Sequence, residues 1–323
     1  MKQRKIVLLT GATGFVGSAL TQHLHQQGHS LNATVRRITD SIPPSIQQIS
    51  IGDLLPDTNW TSALNDVDTI IHLAARVHVM HDKAADPLEE FRCTNTAATL
   101  NFAHQAAKFG VRRFIYLSSI KVNGELTLPD QPFTAEGNHI PTDPYGISKY
   151  EAEQGLKEIA QQTGMEVTII RPPLVYGPAV KANFLNMMHW IHKGIPLPFG
   201  AIHNQRSLVA LPNLIDLITT CIDHPAAANQ TFLVSDAEDL STTQLIAKLS
   251  HALGKPTRLI PIPQTVLTSA LKILGKQALA QRLCGNLQVD ITKTRTLLNW
   301  SPSISINEAL NATAKHYLNH QTQ

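Results

Sequence analysis

Leu9-Thr10-Gly11-Ala12-Thr13-Gly14-Phe15-Val16-Gly17 decides how the rest of this chain reads. The apolar run Ile6-Val7-Leu8-Leu9 reads as a buried strand, and Ser18 to Gln27 reads as a helix. A strand, three glycines spaced three apart, then a helix is the layout of a turn that holds a dinucleotide. Gly11 permits the tight turn. Gly14 leaves no side chain where the backbone must approach a pyrophosphate, and Gly17 lets the helix pack closely on the strand. The helix start offers free N–H groups and the positive end of its dipole to the phosphates.

Composition sets the outer bounds. The 323 residues are 43% hydrophobic, enough to bury a substantial core in one large or two closely joined domains. A net charge of +3, with 16% charged residues and no basic run, argues against a nucleic-acid partner. Cys93, Cys221 and Cys284 lack metal-ligand spacing and read as apolar fillers in a reducing compartment, so no metal site is expected. Lys2, Arg4 and Lys5 lead straight into a short strand, which is not a signal-peptide pattern, and no apolar run has membrane-spanning length. The expectation is a cytoplasmic protein.

Working outward from the turn, Ser30 to Val35 is the second expected strand, Ile46 to Ile51 the third and Asp68 to Ala75 the fourth with its exit. Asp86 to Phe109 reads as one long helix capped by Asp86 and stopped by Gly110. Arg113 to Leu117 is the fifth strand and delivers Ser118 and Ser119; Val167 to Ile170 is the sixth. This alternation predicts an α/β fold, a doubly wound parallel Rossmann sheet covered on both faces, with ligands beyond the carboxyl ends of the strands. After Pro178 proline recurs and the alternation loosens. The expected division is a dinucleotide-binding domain over 1–177 and a smaller α+β substrate-binding domain over 178–323, with a strand near 230–234 returning to the main sheet.

Several side chains sit where chemistry belongs. Arg36 and Arg37 end the second strand, where arginine suits the 2′-phosphate of NADP, so NADP(H) is favoured and NAD(H) is the alternative. Asp53 follows the third strand within reach of an adenine. Small Ala74 and Ala75 leave room for a cofactor beside the backbone. The irregular stretch from Lys121 to Pro144 is long for a compact domain, as functional loops are. It ends in Tyr145-Gly146-Ile147-Ser148-Lys149, which opens a helix to about Gln162 with Tyr145 and Lys149 on one face. A tyrosine, a lysine one turn on and a serine from a strand end form an acid/base set. Free tyrosine titrates near 10, so Lys149 and a positive nicotinamide are expected to lower Tyr145. Tyr145 then exchanges a proton with a sugar hydroxyl or carbonyl oxygen that Ser119 holds.

With these pieces in place, the sequence resembles the extended short-chain dehydrogenase/reductases, specifically the branch of nucleotide-sugar epimerases, dehydratases and 4-keto reductases. Thr10 to Gly17, His72 to Ala75, Ser118-Ser119, Tyr145 to Lys149 and Arg171 to Pro178 carry the resemblance, with weaker matches at Gln205-Arg206-Ser207 and Asp290…Lys293…Leu298-Asn299-Trp300. The resemblance implies cofactor contacts at Thr13, Phe15, Val16, Leu54, Leu73 and Pro172 besides the three glycines, and a Lys149 contact to the nicotinamide ribose. It implies Ser119, rather than Ser118, as the substrate-facing hydroxyl of the acid/base set, with Ser118 and Asn183 as further substrate contacts. Asn95 would support the active site from a helix, and Arg206 and Arg282 would hold the nucleotide diphosphate of a UDP-linked substrate. Homodimers are common in the family, and the apolar face around Leu100 and Phe102 is compatible with one.

Two departures from the epimerase pattern rank the activities. Arg36-Arg37 replace the Asp-Asn of epimerases that retain NAD, and Leu174 stands where many carry asparagine. The first expectation is therefore reduction of a UDP-4-keto-6-deoxy-N-acetylhexosamine in bacterial surface-polysaccharide synthesis. A UDP-hexose or UDP-N-acetylhexosamine 4-epimerase is the alternative. A non-catalytic cofactor-sensing regulator is the third, and the intact Ser119, Tyr145 and Lys149 argue against it.

Overall fold

The computed structural model describes residues 5–77, 86–137 and 139–320. Its strands are β1 (Ile6–Thr10), β2 (Ser30–Val35), β3 (Gln47–Ser50), β4 (Val67–His72), β5 (Arg113–Leu117), β6 (Glu166–Arg171), β7 (Leu174–Tyr176), β8 (Arg206–Ala210), β9 (Gln230–Leu233) and β10 (Asp239–Leu240). The α-helices are α1 (Phe15–Gln26), α2 (Pro87–Phe91), α3 (Ala98–Lys108), α4 (Pro144–Thr163), α5 (Ala182–His192), α6 (Leu211–Asp223), α7 (Thr242–Ala252), α8 (Gln264–Ile273), α9 (Gln277–Cys284), α10 (Thr292–Leu298) and α11 (Ile306–Asn319).

The strands β3-β2-β1-β4-β5-β6-β9 form one seven-stranded sheet in that order, every pair parallel. Pleating sorts the side chains onto two faces. Val7, Leu9, Ala33, Ile71, Ile115 and Ile170 pack with α1 and α6, while Leu8, Ile70, Phe114, Val167 and Ile169 pack with α3 and α4. Both faces are dry, which explains why these strands read as unbroken apolar runs. A three-stranded sheet, β10-β8-β7, joins α5, α7 and α11 around Tyr176, Met188, Leu249 and Tyr317. The chain beyond residue 178 contributes to both units: α6 covers the main sheet, and β9 pairs with β6.

One helix departs from expectation. Residues Asp86 to Phe109 are not a continuous α-helix. Asp86 does cap, its carboxylate accepting from the N–H groups of Leu88 at 3.0 Å and Glu89 at 3.2 Å. Between α2 and α3, however, Arg92–Ala97 is a π-helical turn. Such turns widen a helix where a side chain must be placed for a tertiary contact. Here that side chain is Asn95, which accepts from Arg76 N at 2.8 Å and donates to Arg76 O at 3.0 Å and to Ser148 Oγ at 3.1 Å. On the face around Leu100 and Phe102, Leu100 is half-buried and Phe102 faces the core. Phe102 is fully buried on Trp60 and Phe114, and Leu100 lies over Gly155.

A buried polar spine ties the first strands together. Thr10 Oγ1 accepts from the N–H groups of Leu73 at 3.2 Å and Ala74 at 3.1 Å. Its own proton must then go to His72 Nδ1, 2.7 Å away, so the proton of the imidazole sits on Nε2 and is donated to Thr99 Oγ1 at 3.0 Å. Burial, with the charge of Lys149 adding to it, holds His72 down to about 3 from 6.5. The folded value lies below the unfolded one. Protons therefore favour the unfolded chain, and the stability present above pH 6.5 is lost as pH falls through that value toward 3. We expect urea unfolding of wild type to weaken relative to His72→Gln by up to about 1.4 kcal/mol per pH unit between pH 6 and pH 4. Parallel pH dependence of the two proteins would refute a neutral buried His72.

Candidate active site

The glycine turn is built around three close approaches. Gly11 adopts φ +70°, and a Cβ on it would stand 2.8 Å from Ala74 N. A Cβ on Gly17 would stand 2.0 Å from the Gly11 carbonyl oxygen, while one on Gly14 would lie at 3.2 Å from the same atom. Gly14 opens α1 in extended conformation, and no side chain caps the helix. The first-turn N–H groups thus face outward beside exposed Thr13 and Gly14, with Phe15 and Val16 half-buried behind them. An uncapped helix start over a cradle that side chains would fill fits a dinucleotide pyrophosphate. Half-buried Leu73, Ala74 and Ala75 leave β4 directly beside this turn, and buried Pro172 leaves β6, its carbonyl accepting from Ile120 N at 3.0 Å. Arg36 and Arg37 are both exposed at the end of β2; Arg36 Nε is 3.7 Å from Asp53 Oδ1, and Leu54 is half-buried next to it.

Ser119, Tyr145 and Lys149 come together at the carboxyl ends of β5 and β6. Ser119 is half-buried at the exit of β5, where its hydroxyl accepts from Lys121 N at 3.3 Å and lies close enough to the Tyr145 phenol to favour its ionised form. Tyr145 stands in the first turn of α4, which Asp143 caps by accepting from Gly146 N at 3.2 Å. The Phe91 ring meets it edge-on at 5.8 Å between centroids. Lys149, one turn further, is buried; its ammonium donates to Leu117 O at 2.9 Å and lies 4.4 Å from the centre of the Tyr116 ring.

In the protein alone, without the positive nicotinamide on which the sequence expectation also relies, burial sets the protonation states. Lys149 does not lower Tyr145 in this arrangement. Burial, reinforced by the Asp143 charge, pushes the phenol up to about 12 against the opposing hydrogen bond from Ser119. Burial also holds Lys149 down to about 7, so near neutrality the amine carries only part of a charge with which to acidify its neighbour. In this state Tyr145 is a proton donor.

Ser118, a candidate substrate contact, points into the protein instead. It is buried and donates to Glu153 Oε1 at 2.5 Å. Glu153 also receives Arg171, with Nε to Oε1 at 2.9 Å and Nη2 to Oε2 at 2.5 Å, and Arg171 Nη1 donates to Asn123 Oδ1 at 2.9 Å. Side chains of both ions are almost wholly buried, Arg171 at 4% exposure and Glu153 at 0%. The sequence reading missed this pair and Thr99. A signal was present, because Tyr145, Lys149 and Glu153 recur every four residues and Glu153 therefore shares the buried face.

At the start of β8, the Arg206 guanidinium donates from Nη1 to Gly285 O at 3.0 Å. Burial and the nearby charge of Arg282 hold Arg206 below its ordinary value. Neither arginine has an ion-pair partner among the described residues, so this pair suits a polyanion. Arg282 is exposed on α9, and Asn183 is exposed at the start of α5. The segment 286–290 is stitched to both walls. Leu287 N donates to Gln205 O at 2.9 Å and Ser207 N to Leu287 O at 2.8 Å on one side; Thr127 N donates to Asn286 O at 3.0 Å and Phe133 N to Gln288 O at 2.8 Å on the other.

A strand-helix glycine cradle, a Ser-Tyr-Lys set and two arginines without an ion-pair partner among the described residues invite comparison with known proteins. Residues 7–235 match the NAD dependent epimerase/dehydratase family. The chain belongs to that family. Among its members, UDP-glucose 4-epimerase of Vibrio cholerae is 48% identical over 98% of this chain and 97% of its own. N-acetyl-alpha-D-glucosaminyl-diphospho-ditrans,octacis-undecaprenol 4-epimerase of Escherichia coli O157:H7 is 29% identical over 90% and 88%. The crystal structure of UDP-glucuronic acid 4-epimerase from Bacillus cereus in complex with NAD superposes with a TM-score of 0.79 at 20% identity, covering 98% of this chain and 99% of that one. That last likeness concerns the fold.

For a member of this family, the cradle predicts an order of effects. Gly17→Ala should lower both thermal stability and dinucleotide affinity, the latter at least tenfold, because its Cβ collides with backbone that cannot yield. Gly14→Ala, whose Cβ sits at 3.2 Å, should cost little stability. Thermal melts and NAD titration of the two variants check this; the reverse order would refute the geometry.

Proposed function

We propose that this protein is a 4-epimerase of a UDP-linked hexose that works with retained NAD. The end-to-end 48% identity to the Vibrio cholerae UDP-glucose 4-epimerase carries this reading. It reverses the order of the two enzymes reached from the sequence alone. Arg36, the main reason for preferring an NADP-linked reductase, has 84% of its side chain exposed and holds only a 3.7 Å approach to Asp53. Exposed arginines of this kind are as well explained by solvation.

Bound at the glycine cradle, NAD would supply a reversible hydride acceptor. The protein's own groups handle the proton and the position. Tyr145 exchanges a proton with the oxygen on carbon 4 of the sugar, and Ser119 donates a hydrogen bond to that oxygen. Lys149 lies one turn behind Tyr145, where its amine can share the proton. Arg206 and Arg282 hold the diphosphate, and Glu153 with Arg171 fixes α4 against β6. Inversion at carbon 4 needs the ketone to present its second face, so the sugar must be held through its diphosphate more firmly than through its ring.

The test is to incubate the purified protein with UDP-glucose, UDP-N-acetylglucosamine and polyprenyl-diphosphate-linked N-acetylglucosamine, without added cofactor, and to assay the released nucleotide. We expect interconversion of a UDP-sugar with its 4-epimer and close to one NAD per chain. Consumption of NADPH by a UDP-4-keto sugar, with no epimer formed, would establish the reductase that Arg36-Arg37 favour. Tyr145→Phe should retain the fold and bound nucleotide and lose roughly a hundredfold or more of turnover. Wild-type turnover in that variant would remove Tyr145 from the chemistry.

A further inference from the structure

The surface outside the cleft has one anomalous region. From Leu240 to Val289 the sequence has six lysines and arginines and no aspartate or glutamate, whereas the rest of the chain has 21 basic and 24 acidic side chains. At the centre of this stretch α8 and α9 form a helical hairpin. The two helices pack on each other, and α8 contains no buried residue. Its turn presents large apolar groups to solvent: Ile273 is 86% exposed and Leu274 67%, with Val266 at 56% behind them. Exposed Lys272 and Lys276 flank that apolar tip, and neither has an ion-pair partner among the described residues. The base of the hairpin is anchored, with Gln264 Nε2 donating to Cys284 O at 3.0 Å and Ala201 bridged to Pro263.

We propose that this hairpin is a docking surface for an anionic lipid bilayer. An amphipathic helical element that lacks acid, carries lysines beside bulky aliphatic groups, and keeps those groups out of the core has the chemistry of an interfacial anchor. Lysine stems can run along the acyl boundary while their ammonium groups meet lipid phosphates. No helix among the described residues is long and apolar enough to cross a membrane, so the contact is with the interface. The charge selects this occupant: a second copy of the chain docking through the same hairpin would set Lys272 and Lys276 against a surface with the same excess of cations. The end of α9 at Cys284 stands one residue before the Gly285 carbonyl that Arg206 holds, so the hairpin is tied at its base to that arginine.

Vesicle flotation of the full chain tests the proposal, with phosphatidylglycerol-rich vesicles compared with pure phosphatidylcholine at low and high salt. We expect wild type to float with the anionic vesicles at low salt and largely detach at high salt. Ile273→Glu with Leu274→Glu, and separately Lys272→Glu with Lys276→Glu, should each lower the bound fraction about tenfold or more, with thermal stability unchanged. Turnover of a soluble UDP-sugar should also be unchanged, which keeps this result independent of the proposed epimerase activity. Three outcomes would overturn the proposal: no flotation with anionic lipid, flotation insensitive to both double variants, or a wild-type dimer that the apolar variant converts to monomer. The last would assign the hairpin to self-association.

Discussion

Helix α4 buries a lysine and a glutamate against the sheet, and the active site exists because that burial is made tolerable. Glu153 would be an isolated charge in a dry core but for Arg171, which reaches it from β6 with three hydrogen bonds from Nε and Nη2 while Nη1 goes to Asn123. Removing either ion would leave the other unpaired, a loss of roughly 3–5 kcal/mol. The same pairing sets the rotation of α4 about its axis. With Glu153 held, Lys149 and Tyr145 one and two turns earlier point at the ends of β5 and β6, and Ser119 meets the phenol there. The Ser-Tyr-Lys set is therefore oriented by ions buried in the core.

How far the sequence reaches depends on the range of the forces involved. The glycine turn is a local backbone requirement, and the strands leading into it are buried on both faces, so both are written in consecutive residues. The preference for Ser119 over Ser118 rests on the resemblance to the epimerase pattern, and the two differ in the fold as neighbours at a strand exit do, Ser118 buried and Ser119 half-buried. The π-helical turn at Arg92–Ala97 could not be read, since its cause is a hydrogen-bonding demand from Arg76 and Ser148, far away in sequence. Protonation states were equally out of reach. The rise of Tyr145 and the fall of Lys149 come mostly from desolvation, which is a property of the assembled site.

The two arginines after β2 show a different limit. Their position is where a 2′-phosphate lies in this fold, but position alone does not make a binding site. Buried Arg171 has four polar contacts holding it in one geometry, whereas Arg36 makes a single long approach to Asp53. A contact that orders a flexible, solvated side chain must first offset the entropy of ordering it. Residue type marks the candidate, and preorganisation decides its weight.

The segment 286–290 has a consequence for how such proteins can be recombined. It forms a seam: one edge pairs with Gln205 and Ser207, the other with Thr127 and Phe133 of the loop that leads to Tyr145. Residues from the first half of the chain, from β8 and from near its end thus form one continuous wall, so the C-terminal part is not a detachable cassette. A chimera that exchanged the residues after Pro178 to change sugar preference would inherit mismatched edges along this seam. It would lose the shape of the cleft even with every catalytic side chain in place, so the loop from Lys121 to Pro144 must travel with the graft.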